Sequence, residues 1–109
     1  MAYYMIQAAY TSQAWAAMTK KPEDRSKALG ALVEKLDGNL VSLYHCFGKY
    51  DVVAIVEMPG NVQAASAALA ISAGGHLKSL VTTPLMTVEE TMQAAKKAGG
   101  VRYATPKAK

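Results

Sequence analysis

The chain has 109 residues, enough for one domain with a buried core and too few for a second. Its 51% hydrophobic and 18% charged content leaves more apolar material than a small monomer hides easily, which favours self-association. The net charge of +4 is concentrated in residues 96–109, where Lys96, Lys97, Arg102, Lys107 and Lys109 meet no acid; the other 95 residues carry seven bases and eight acids, so the body is near neutral and nucleic acid is disfavoured as a partner.

Tyr3 to Tyr10 reads as a first strand, and Thr11-Ser12 caps the helix-favouring run Gln13 to Met18. Pro22 cannot continue that helix, so it breaks near Lys20-Lys21. A second helix starts with Pro22 near its first position and Glu23 and Asp24 in its first turn. Its stripe is Leu29, Leu32, Val33 and Leu36, and Gly38 closes it. Leu40–Phe47 and Tyr50–Met58 then form a hairpin whose type II′ turn places Gly48 where φ must be positive. Val52 to Val56 is apolar without alternation, which suits a central strand covered on both faces. Helices can cover one face, and a second copy of the sheet is expected on the other.

Pro59-Gly60-Asn61 turns the chain, and Asn61 is expected to cap an alanine-rich helix, Val62 to Ala73, which Gly74-Gly75 ends. Leu77 to Thr83 is the fourth strand, with Pro84 as its stop. The order βαββαβ, with right-handed crossovers, places strands one and three in the centre. Thr87-Val88-Glu89-Glu90 is a capping box that starts an appended helix over 87–98, with Val88, Met92 and Ala95 on one face. Residues 99–109 form a basic tail.

Gly48, Tyr50 and Asp51, followed by Val52-Val53, Glu57 and Pro59, resemble the signature of the GYD domain family. The opening strand ending in Tyr10-Thr11, the Gly74-Gly75 pair and Thr82-Thr83 extend the similarity over residues 3 to about 98. The resemblance implies an α+β, ferredoxin-like βαββαβ domain over 1–98 that pairs into a dimeric α/β barrel; a trimer of dimers, with the alanine-rich helix or the tail at the further contacts, is an additional option. Such barrels include cofactor-independent oxygenases, isomerases, haem-degrading enzymes and ligand-binding regulators.

His45 is the only imidazole inside a predicted strand and is the first candidate for proton transfer. Period-two alternation puts Val41, Leu43, His45 and Phe47 on one face and Ser42, Tyr44 and Cys46 on the other, so His45 and Tyr44 do not act together. A hydrogen-bonded structural histidine is the competing reading and is favoured. Glu57, at the end of a buried strand, is the second catalytic candidate, because an acid near apolar surface pairs with a base or changes its pKa. Asp51, beside the turn, is read as an acceptor of backbone hydrogen bonds rather than a base. Tyr10, Trp15 and Tyr50 are candidate walls of a ligand pocket, with Tyr3 and Tyr4 in the same aromatic cluster; core packing explains that cluster equally well. His76 is read as a loop residue and Cys46 as a small buried hydrophobe.

Two histidines and one cysteine give no metal-ligand spacing, and phosphate-loop, dinucleotide and nucleophile-elbow motifs are missing, so neither a metal nor a cofactor is expected. One cysteine, no signal sequence and no run of about 20 apolar residues point to a soluble cytoplasmic protein without a membrane segment. The function expected is binding of a small, partly apolar molecule. The alternatives are a cofactor-independent oxygenase or isomerase, and a non-catalytic assembly or partner-binding protein.

Overall fold

A computed structural model describes residues 1–107; Ala108 and Lys109, the end of the basic tail, lie outside the described residues. The elements are β1 (Ala2–Tyr10), α1 (Ser12–Lys20), α2 (Arg25–Lys35), β2 (Asn39–His45), β3 (Val52–Met58), α3 (Asn61–Ala73), β4 (Leu77–Leu85) and α4 (Val88–Gly99). The strands form one antiparallel sheet in the order β2-β3-β1-β4, with β1 and β3 central. This is the ferredoxin-like arrangement, its first crossover divided into two helices by the break at Lys21–Asp24.

The register explains why one sheet face carries the core. Tyr4 pairs with Val56, Ile6 with Ala54 and Ala8 with Val52, so alternate residues of β1 and β3 converge on the side where α2 and α3 lie. Val33 of α2 and Ala64 and Ala67 of α3 complete that core. Met58, Val56 and Val33 are the largest fully buried side chains, each contributing about 1.5–3 kcal/mol by leaving water. The opposite face presents Tyr3, Met5, Val53 and Ile55, none of them buried.

Several local expectations change on inspection. The β2–β3 connection is six residues, 46–51, closed by Cys46 N–H donating to the Asp51 carbonyl at 2.9 Å, rather than a two-residue turn. The Asp51 N–H turns to the other side and donates to the Ala8 carbonyl at 2.8 Å. Gly48, with φ of 136°, still occupies the region that favours glycine. Cys46 is exposed, not buried, because β2 ends at His45; its thiol donates to the Tyr50 carbonyl at 3.2 Å.

In β2 an irregularity between Leu40 and Ser42 leaves Val41 as an extra residue. Leu40, Leu43 and His45 therefore share the helix side, and Val41 does not take the place that strict alternation assigns it. β4 runs through Pro84 to Leu85, which its position at the sheet edge permits, since it pairs with β1 alone.

The caps are also redistributed. Asp24 is the N-cap of α2, accepting from Ser26 N–H at 3.0 Å and from its hydroxyl at 2.5 Å, so Pro22 and Glu23 precede the helix. Those bonds hold the Asp24 carboxyl below its usual range. Asn61 is the first residue of α3 rather than its cap, and its Oδ1 accepts from the Tyr4 hydroxyl at 2.7 Å, satisfying a phenol at the core's edge. Thr87 caps α4 in the expected box with Glu90.

α4 contributes no buried residue, and Val88, Met92 and the preceding Met86 are all exposed. A compact chain of this length has a radius of gyration of about 13 Å. The observed 17.9 Å, with a longest dimension of 59 Å, fits an α4 that buries no residue against the body.

The end of α2 sets the seat of Met58. Gly38 N–H donates to Val33 O at 2.8 Å and Asp37 N–H to Glu34 O at 3.0 Å, a Schellman closure in which Asp37 takes the left-handed φ of 65°. A Cβ on Gly38 would press on Met58 Sδ and lie 2.5 Å from the Glu57 carbonyl oxygen. Gly38→Ala is expected to cost about 1–3 kcal/mol by overpacking. A urea midpoint equal to that of the wild type would disprove this account of Gly38.

Candidate functional site

The two layers do not close completely. Between α2 and α3, above the sheet, lies a cavity of about 240 Å³. Its floor is Ile6, Ala8, Val52 and Ala54, the helix-side residues of the central strands. Leu29 and Leu32 of α2 face Ala70 and Ile71 of α3 as its walls, and Leu77 and Leu80 of β4 close the side. The small side chains at Ala8, Ala54 and Ala70 leave the room. Larger residues there would fill it.

Polar groups occur at one end. Tyr10, Arg25 and His76 line this cavity and also an adjoining cleft of about 370 Å³, which adds Ala14, Ala17, Met18, Lys21 and Glu23. These three residues therefore mark where the apolar interior opens to solvent. Burial pushes the Tyr10 phenol above its usual range, opposed by the Arg25 cation and reinforced by the Asp51 and Glu23 charges. Arg25 Nη1 donates to Glu23 Oε1 at 2.5 Å in a partly exposed pair.

Each mouth residue has a structural reason for its place. Tyr10 ends β1, where the register slips after Ala9, and the backbone is held by Asp51: Tyr10 N–H donates to Asp51 Oδ2 at 2.8 Å. Arg25 opens α2 in register with Leu29, Leu32 and Leu36, so it lies on the helix's inward stripe. His76 follows Gly74-Gly75; a Cβ on Gly74 would sit 2.9 Å from the imidazole, and Gly75 takes φ of 75°. The His76 carbonyl accepts from Thr11 N–H at 3.1 Å, tying this loop to the end of β1.

Among the residues singled out from sequence, Tyr10 lies in the cavity. Trp15 stands behind it, edge to face with centroids 5.2 Å apart, and its Nε1–H donates to Asp51 Oδ2 at 3.2 Å. Tyr50 is half-buried in the β2–β3 loop, with Lys49 Nζ 5.6 Å from its ring centroid. His45 is exposed at the end of β2, paired with Val52 on the helix side. Glu57 pairs with Tyr3 and Asn39 on the opposite face. The fold does not bring His45 and Glu57 together, and neither lines the cavity.

Arg25 and His76 were not among the sequence candidates. A signal for Arg25 exists: it is a cation at i in a stripe continued by apolar residues at i+4, i+7 and i+11. His76 has only its position after two glycines, which marks a loop and not a direction. Asp51 has the role expected of it, accepting hydrogen bonds, one from backbone and one from an indole. Among the described residues no group of three or more His, Cys, Asp or Glu is placed to hold a metal ion, and no helix is long and apolar enough to cross a membrane.

Asp51→Ala removes one acceptor from two donors, one of them a half-enclosed backbone N–H. A loss of about 1–3 kcal/mol is expected, with a change in the emission of Trp15, the single tryptophan. Unaltered fluorescence and an unaltered denaturation midpoint would refute the coupling.

Comparison with curated proteins gives no match. A family model described as the GYD domain matches residues 4–95, from the core tyrosine of β1 to the middle of α4, and spans both the cavity and the Gly48, Tyr50, Asp51 motif. The chain belongs to the GYD domain family.

Proposed function

We propose that this protein binds a small, partly apolar molecule in the cavity between the sheet and helices α2 and α3. The observation that carries this reading is the cavity itself: about 240 Å³ with apolar walls and polar side chains gathered at one end. A concave, mostly apolar surface with a few convergent polar groups is the usual form of a small-molecule site. The body of the ligand displaces water from the leucine and alanine walls, while Tyr10, Arg25 and His76 orient its polar end.

The molecule does this as a homodimer, the open sheet face of one copy covering that of the other. Val53 and Ile55 are half-exposed there, and Tyr3 and Tyr44 are more exposed still. A sheet with one bare apolar face gains by burying it. A role in assembly is the second reading, favoured by α4, whose Val88 and Met92 extend from the body without cover of their own.

Native mass spectrometry of freshly purified protein, with a thermal-shift screen of metabolite extracts, tests the binding reading. A ligand at about one hundred times its dissociation constant stabilises the native state by roughly 2.7 kcal/mol. Leu29→Trp, which fills the cavity from α2, should abolish that shift. If no small molecule co-purifies and none raises the melting temperature, the binding reading fails.

Sedimentation at micromolar concentration tests the assembly. The wild type should run as a dimer or a multiple of one, and Ile55→Glu as a folded monomer. A wild-type monomer at that concentration overturns the dimer.

A further inference from the structure

The geometry points to a carboxylate as the polar group of the ligand: an organic acid with a small apolar body, its carboxylate seated on Arg25 at the junction of the two cavities. The inference rests on the cavity-binding reading and specifies its substrate class.

Three observations converge on it. First, Arg25 lies on the inward stripe of α2 and lines both the apolar cavity and the outer cleft. A guanidinium offers five donors in a fork that matches a carboxylate, and it stays charged at any physiological pH. Second, the charged side chains lining the outer cleft are Lys21, Glu23 and Arg25, a balance of one positive charge, with the Tyr10 phenol and the His76 imidazole as further donors. Third, Arg25 already holds a carboxylate, that of Glu23, at 2.5 Å.

The Glu23 pair does not block the seat. Its members stand two residues apart and remain partly exposed, with side-chain exposures of 58% for Glu23 and 30% for Arg25. Such pairs contribute little to stability, so exchanging one carboxylate for another costs little. Nη1 bonds to Glu23 and the side chain also meets the Tyr10 phenol, which leaves further N–H groups of the five for an incoming acid. Glu23 thus acts as an internal competitor that an incoming acid displaces or joins.

Size narrows the class. The apolar compartment, at about 240 Å³, falls below the roughly 300–1,000 Å³ of sites for drug-sized ligands. It suits one ring or a short aliphatic chain. Among the described residues the walls offer no polar side chain beyond the mouth, so the body carries its polarity at one end.

Calorimetric titration with phenylacetate and hexanoate, each against its uncharged amide, tests the inference on the full-length protein. The acids should bind about tenfold or more tightly than the amides, the difference expected of charge-assisted hydrogen bonds. Arg25→Gln should erase that preference, so that acids and amides bind alike. Glu23→Gln, at an exposed position, should strengthen the acids more than the amides and so widen the gap between them, which keeps the inference testable if the Arg25 variant folds poorly. Acids and amides binding equally to the wild type would overturn the carboxylate seat and leave the cavity reading standing. Phenyl phosphate binding more tightly than phenylacetate would also overturn it. Failure of all four probes would count against both.

Discussion

Asp51 is the point on which the mouth of the cavity depends. One carboxylate oxygen receives the Tyr10 backbone N–H and the Trp15 indole, while the residue's own backbone bonds to Ala8 and Cys46. A single side chain thereby joins the end of β1, the start of α1 and the six-residue loop before β3. Tyr10 is fixed from behind, and its ring has Trp15 against one edge. The mouth of the cavity is built on a polar contact that lies outside the cavity, so packing alone does not set its shape.

The body of the fold follows from a simpler constraint. β1 and β3 carry the core because their alternate residues meet the same helices, and the small residues among them leave space that α2 and α3 do not fill. Where the strand has Val56 and Met58 the layers close; where it has Val52 and Ala54 they part. The cavity is a consequence of side-chain volume along a regular strand. No backbone distortion of β3 is required for it.

Much of this was legible in the sequence because it rests on local chemistry. Thr11, the break at Pro22, the box at Thr87 and the uninterrupted apolar run of β3 each act within a few residues, and each appears where expected. The hairpin loop, the bulge at Val41 and the use of Asn61 by Tyr4 were not legible. Each depends on a partner far away in the chain: Asp51 turns toward β1, and Asn61 answers a phenol 57 residues earlier. The site divides in the same way. Tyr10 was visible as an aromatic at a strand end, whereas His76 acquires meaning only when the loop after α3 is folded against Thr11.

The alternation of β3 also separates two properties within five consecutive residues. Val52, Ala54 and Val56 look toward the helices, and Val53 and Ile55 look away from them. Changes at even-numbered positions act on what the interior can hold, and changes at odd-numbered positions act on what the outer face can meet. Natural variation along this strand can therefore alter the shape of the cavity and the chemistry of the outer face independently, one residue at a time.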